Sequence, residues 1–171
     1  DGHDTPITEV VVFDVAPPQI PLPKDERLSI VTGDISNPET MKKLLDSRTS
    51  SIFHFAGVVS GQAEADLDLG MRINIDGTRA LLDACRFHDI KPRFVFSSSI
   101  AVYGESLPSI VTDDTPAIPQ TSYGVQKVCC EHIINDYTRR KLIDGRSVRL
   151  PTVIIRPGKP NQGVGQWTSS F

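Results

Sequence analysis

The chain has 171 residues, with 18 Lys+Arg against 21 Asp+Glu and a formal net charge of −3. Hydrophobic residues make up 39% and charged residues 23%, ordinary proportions for a globular domain. No apolar run reaches the ~18–20 residues that span a bilayer, and the mild acidity speaks against a nucleic-acid or membrane-surface protein.

Short apolar runs alternate with helical patterns, the signature of βαβ units on a parallel sheet. Val10–Val15 (VVVFDV) is a nearly continuous apolar, β-branched run and reads as a strand buried on both faces. The prolines between Pro17 and Pro23 forbid a regular helix after it. Leu28–Thr32 is the next strand, ending at Gly33-Asp34. Asn37 and Pro38 supply a cap and a first-turn proline for a helix that runs to Leu45. Ser51–Ala56 is a third strand. A long helix over Ala65–Phe87 follows, with Leu69, Ile73, Ala80, Leu81 and Ala84 on its buried side. Arg93–Ser97 is a fourth strand, and the loop from Glu105 to Thr121, with Pro108, Pro116 and Pro119, belongs on the surface. Tyr123–Lys141 is a second long helix with Ser122 as its candidate cap. Val148–Arg156 is a fifth strand, compatible with Pro151 only near its start or at an irregularity. The order β-β-α-β-α-β-α-β predicts an α/β fold with a doubly wound parallel sheet.

Tyr123 and Lys127, in SYGVQK, stand four residues apart and share one helix face. A phenol titrates near ~10, too high for a base at neutral pH, and a neighbouring ammonium favours the phenolate. The pair is therefore a candidate general acid/base, although a packed tyrosine and an exposed lysine on an ordinary helix share that spacing. Ser99 closes the run Ser97-Ser98-Ser99 after a buried strand, where open sheets form ligand sites. Its hydroxyl is placed to hold a substrate oxygen, or else the cluster satisfies its own turn. Asp14 ends the first strand and Asp34 follows the second. A carboxylate at the first of these positions can accept both ribose hydroxyls of a nucleotide and would repel a 2′-phosphate, favouring NAD over NADP. Ala56 and Gly57 end the third strand with small residues that let backbone approach a flat ligand. His54 lacks a second ligand at metal spacing and reads as a packed strand residue, so no metal is expected. Asn74, inside a helix, either bonds backbone across the site or is a solvated position. Cys85, Cys129 and Cys130 form neither an even disulfide set nor a metal spacing, which sets a reducing, cytoplasmic expectation. Adjacent Cys129 and Cys130 point about 100° apart and read as packing residues rather than a redox pair.

Together VVVFD, GDI, HFAG, NIDGT, FSSSIAVYG, YGVQK with Glu131 four beyond, and IIRPG resemble the extended short-chain dehydrogenase/reductase family of nucleotide-sugar epimerases and dehydratases. The resemblance implies a Rossmann-like fold and NAD as cofactor. It also implies a catalytic triad of Ser99, Tyr123 and Lys127, with Asp14 on the adenosine ribose and Asp34 with Ile35 at the adenine. Ala56 and Gly57 would line the dinucleotide, Lys127 would also reach the nicotinamide ribose, and Asn74 would support the active-site helix. Within the family, RLPTVIIRPGKPN (Arg149–Asn161) is similar to the D-erythronate dehydrogenase subgroup, which oxidises a four-carbon sugar acid to its 2-oxo form with NAD. Small-molecule partners follow, a sugar acid or a nucleotide sugar, with a homodimer through the two long helices.

The family begins with a strand and a glycine-rich phosphate loop, whereas Val10–Val15 here corresponds to its second strand. Gly163-Val164-Gly165 lacks the third glycine of such a loop. The expectation is thus a partial NAD(P)-binding domain over 1–158, the start of a substrate-binding region over 159–171, and a longer parent enzyme. Without the central first strand the sheet should split into two halves with facing unpaired edges, and this piece alone should bind NAD poorly. Three functions compete: an NAD-dependent sugar-acid dehydrogenase, a nucleotide-sugar epimerase or dehydratase, and a catalytically silent dinucleotide-binding module.

Overall fold

The computed structural model describes residues 6–151. Five strands lie in two parallel sheets. β1 (Val10–Asp14) pairs with β2 (Leu28–Thr32), and β3 (Ser51–His54), β4 (Arg93–Ser99) and β5 (Asp144–Leu150) form a second sheet in that order. Registers run from Val10↔Leu28 to Asp14↔Thr32, from Ser51↔Arg93 to His54↔Phe96, and from Arg93↔Asp144 to Ser99↔Leu150. The break falls between β1 and β3, where the strand order anticipates it.

Burial follows the break. β1 is not buried on both faces as its composition suggests: Val10 and Val11 are each 41% exposed, and Val15, 79% exposed, lies beyond the strand. The reason is partnership, since β2 is the only strand hydrogen-bonded to β1 among the described residues. The β3–β4–β5 sheet instead buries one face. His54, Phe94, Phe96 and Ser98 point inward, and Phe94 and Phe96 pack with Ala80, Leu81, Ala84, Cys130 and Ile134. By the alternation of strand side chains, Phe53 and Phe55 point the other way and stay largely exposed.

α1 (Pro38–Leu44) starts as expected: the Asn37 side chain accepts from the amides of Glu39 and Thr40, and Pro38 opens the first turn. Met41 and Leu45 tie this helix to the core shared with Ala80, Leu81 and Ala84. The single helix expected over 65–87 is instead a succession. α2 (Ser60–Ala65) ends at Asp66, whose side chain caps α3 (Leu67–Gly70); a π-helical segment (Met71–Asp76) then leads into α4 (Gly77–Phe87). Apolar spacing reports which residues face the core, not which carbonyl each amide reaches, so it announces neither the break at Asp66 nor the i→i+5 turn.

α5 (Ser122–Arg139) is capped by Thr121 rather than Ser122, with the Thr121 hydroxyl accepting from the Gly124 amide. β4 runs two residues past the expected end at Ser97, through Ser99. β5 starts at Asp144, four residues before its apolar part, and the rest of the expected strand beyond Pro151 lies outside the described residues, as do IIRPG, Gly163-Val164-Gly165 and the region 159–171. No described helix is long and apolar enough to cross a membrane.

Candidate active site

β4 ends in three consecutive serines, and α5 lies across that end. Side chains four apart on a helix stack on one face. Tyr123, Lys127 and Glu131 therefore form a column, and each engages the serine run. Lys127 Nζ donates to the Ser97 carbonyl at 2.7 Å. The Ser98 hydroxyl donates to Glu131 Oε1. The Ser99 hydroxyl accepts from the Ala101 amide at 3.1 Å and stands near enough to the Tyr123 phenol to draw its pKa down. The three residues expected to form the triad are thus brought together.

Their electrostatics differ from the expectation in one respect. The phenol is pushed up, not down: burial disfavours the phenolate, and the nearby Ser99 hydroxyl offsets it only in part. Lys127 is buried, and burial draws its ammonium down to about 8. Its Nζ lies 4.5 Å from the Phe96 ring centre and 5.4 Å from that of Tyr123, a cation over two aromatic faces. The lysine therefore faces the ring and the Ser97 carbonyl rather than acting on the phenol as a free neighbouring charge.

Behind this column lies a polar network without solvent. Asn74 sits in the π segment, only 3% exposed, so it is not a solvated position. Its Oδ1 accepts from the Val58 amide at 2.9 Å, and its Nδ2 donates to the Val58 carbonyl at 3.2 Å and to Gln126 Oε1 at 2.7 Å. The side chain pins the loop after β3 to α5. Its backbone carbonyl accepts from the Thr78 hydroxyl and from Cys130 Sγ. His54 is a packed strand residue: Nε2 pairs with Thr78 Oγ1 at 2.8 Å, and burial first, with Lys127 second, lowers it to about 3. It is neutral at any ordinary pH. Gln126, Thr78, Ser98 and Arg149 are participants that sequence reasoning missed; only Glu131 carried a signal, as the third member of the i, i+4, i+8 column.

The nucleotide-side candidates lie at the ends of β1, β2 and β3. The Gly33 amide donates to the Asp14 carbonyl at 3.0 Å, which joins the two strand ends. The Asp14 carboxylate is solvent-facing and accepts only from the Ala16 amide among the described residues. Asp34 is engaged instead: it accepts from the Ser36 hydroxyl and amide, and from Arg72 at 2.7 Å. These partners, Ser36 first, hold its carboxyl below the usual range. Ile35 is buried. Ala56 is half-buried and Gly57 exposed, and a Cβ on Gly57 would come within 2.8 Å of Asn74 Oδ1 and 3.9 Å of Lys127 Nζ. That close approach favours glycine and puts the β3 loop beside Lys127. The π segment thus links both halves of the candidate site, Arg72 reaching Asp34 and Asn74 reaching α5.

A split parallel sheet with its polar groups gathered at the carboxyl ends of the strands is a Rossmann-like fold, the architecture of dinucleotide-binding enzymes. The chain belongs to the NAD dependent epimerase/dehydratase family, whose pattern matches residues 3–167. It is 50% identical over all 171 residues to D-erythronate dehydrogenase of Cupriavidus necator, covering 52% of that protein. It is 43% identical over 165 residues, 96% of the chain, to D-erythronate dehydrogenase of Haemophilus influenzae, again covering 52% of the relative. Among solved structures, the nucleoside-diphosphate-sugar epimerase of Agrobacterium tumefaciens superposes with a TM-score of 0.87 at 45% identity, over 95% of this chain and 49% of that one. The chain thus spans about half the length of the curated relatives it matches.

Proposed function

We propose that this chain is the catalytic-face portion of an NAD-dependent dehydrogenase that oxidises a hydroxyl of a small sugar acid, D-erythronate or a close analogue. The observation that carries the proposal is the column of Tyr123 and Lys127 on α5 against Ser99 and Ser97 on β4. It is supported by 50% and 43% identity to two proteins named for that activity.

The residues present fit NAD at its two ends. Gly57 keeps backbone open beside Lys127, where a nicotinamide ribose would lie, and the unshared Asp14 carboxylate suits the adenosine ribose hydroxyls. Asp34 and Ile35 would border the adenine, while Ala56 and Asn74 shape the wall between. When bound, NAD supplies the hydride acceptor. Ser99 holds the substrate hydroxyl, and Tyr123 removes its proton as the carbonyl forms. Lys127, fixed by the Ser97 carbonyl, orients the ring of Tyr123 and offers its remaining protons toward the ribose. The phenol begins above its ordinary range, so charge brought in by the bound partners must lower it before it can act as a base. Placement of these groups ahead of reaction supplies much of the rate.

A second reading, a nucleotide-sugar epimerase, is favoured by the Agrobacterium relative. The full-length protein, offered D-erythronate and a UDP-hexose separately with NAD, separates the two. NADH accumulating at 340 nm with the sugar acid supports the dehydrogenase. Interconverted hexose with no net NADH supports the epimerase, and neither product supports a silent dinucleotide-binding module. The same reading carries a homodimer through α4 and α5, where Val125 is left 46% exposed; sedimentation as a monomer removes that part of it.

A further inference from the structure

Glu131 and Arg149 stand apart from the reacting groups, yet they centre a second polar cluster. Glu131 is 6% exposed. Arg149 Nε donates to Glu131 Oε1 at 3.0 Å and Nη2 to Oε2 at 2.8 Å, a two-pronged pair. The third guanidinium nitrogen, Nη1, donates to the Tyr103 hydroxyl at 2.8 Å, with the guanidinium carbon 5.0 Å from the centre of that ring. The buried Ser98 hydroxyl donates to Glu131 Oε1. Four pieces of chain meet at this ion pair: the end of β4 at the carboxylate, the turn that follows it at the guanidinium, and the third turn of α5 and β5, which carry the pair.

A buried ion pair is a poor source of stability, because desolvation offsets most of the attraction. Its value lies in fixing geometry. Ser98 stands between Ser97, whose carbonyl holds Lys127, and Ser99, which meets Tyr123. Tyr103 closes the 3₁₀ turn Ile100–Val102, which the Ser99 hydroxyl caps through the Ala101 amide. We propose that Glu131 and Arg149 are positioning residues: through Ser98 and Tyr103 they clamp the serine run of β4 and its following turn against α5, and so set how Ser99 meets Tyr123. The inference rests on the Ser99–Tyr123–Lys127 reading above.

Burial raises the Glu131 carboxyl, but Arg149 and Ser98 more than offset it, so the clamp is ionised at neutral pH. The Ser99 hydroxyl, held at the end of β4 by its own bond from the Ala101 amide, is the neighbour that draws the Tyr123 phenol down. Releasing the clamp should therefore let the phenol rise. The other titratable groups around Tyr123 and Lys127 are Glu64, which accepts from the Ser122 amide at the start of α5, His54 on β3, and Cys130 on α5, whose thiol Glu131 helps to raise.

The test uses the full-length protein carrying Glu131→Gln, Ser98→Ala, Ser98→Thr, or the paired apolar change Glu131→Leu with Arg149→Met, which leaves no charge unpartnered. Three quantities are read: kcat per NAD-binding site, NAD affinity, and the titration of Tyr123 by ¹³Cζ-tyrosine NMR, assigned with Tyr123→Phe. The expected result is a kcat per site about tenfold lower or more in Glu131→Gln, Ser98→Ala and the double variant. NAD affinity should hold, Tyr123 should titrate at higher pH, and Ser98→Thr should restore most of the loss. A lower melting temperature with unchanged kcat per site and unchanged Tyr123 titration overturns the proposal and leaves a structural brace. If the unaltered protein makes no NADH, the titration still decides: a moved phenol keeps the positioning role while the dehydrogenase reading falls, and an unmoved one removes the positioning role as well.

Discussion

Residues 51–150 and residues 10–45 are built from the same parallel βα vocabulary, yet they are held by different means. In the first region one sheet face is closed by α4 and α5, and its interior is threaded by bonds among His54, Thr78, Asn74, Gln126, Ser98 and Glu131. In the second, both strands keep their valines partly in solvent, and contact with the core runs mainly through Ile35, Met41 and Leu45. Its polar links, Arg72 to Asp34 and Arg48 to Glu9, lie at the surface. The difference shows that the chemical end of the candidate site is preorganised by burial. The nucleotide end depends on exposed carboxylates that a ligand must still engage.

The sharpest way to break this contrast is at Tyr123. Tyr123→Phe in the full-length protein should lower NAD reduction by about 10²–10⁴-fold with NAD affinity nearly unchanged, as single-turnover and binding measurements would show. Asp14→Asn should do the opposite, weakening NAD while leaving saturated turnover within about threefold.

Stability should divide along the same line. Phe96→Ala, at a fully buried position between α5 and the sheet, should cost about 3–5 kcal/mol in urea unfolding. Phe53→Ala, one strand away but 64% exposed, should cost about 0.5 kcal/mol. Equal losses would show that the outward face is covered in solution.

pH gives a third cut. His54 is held at about 3 when folded and returns to about 6.5 when unfolded. Below pH 6.5 the unfolded chain takes up a proton that the folded chain refuses, so stability is complete above that value and falls toward pH 3. The loss between pH 7 and pH 4.5 should be about 2–3 kcal/mol, and His54→Asn should reduce it. The smallest effect belongs to the exposed pair: Arg72→Ala should cost less than about 1 kcal/mol and vanish in high salt, because both partners are about half exposed.

Sequence reasoning located what depends on local spacing. The cap at Asn37, β2 to the residue and the Tyr123–Lys127 face were legible, because caps, runs and i+4 pairs are written in neighbouring residues; the split between β1 and β3 followed from the family resemblance instead. The π segment was not, since apolar spacing does not say which carbonyl each amide reaches. Nor was the direction in which the Tyr123 phenol moves. That depends on how much of the ring is buried and on where Lys127 Nζ points, both set by packing against β4. The exposure of β1 escaped for a related reason: composition reports what a strand can bury, and only its neighbours decide what it does bury.

The central claim is that α5 and the serine end of β4 form the reaction face for NAD. A crystal structure of the full-length protein with NAD tests it most directly. The account predicts the nicotinamide ribose against Lys127, the nicotinamide ring beside Tyr123 and Ser99, and the adenosine ribose on Asp14. NAD seated away from Tyr123 and Lys127 would contradict it, whatever the protein's activity.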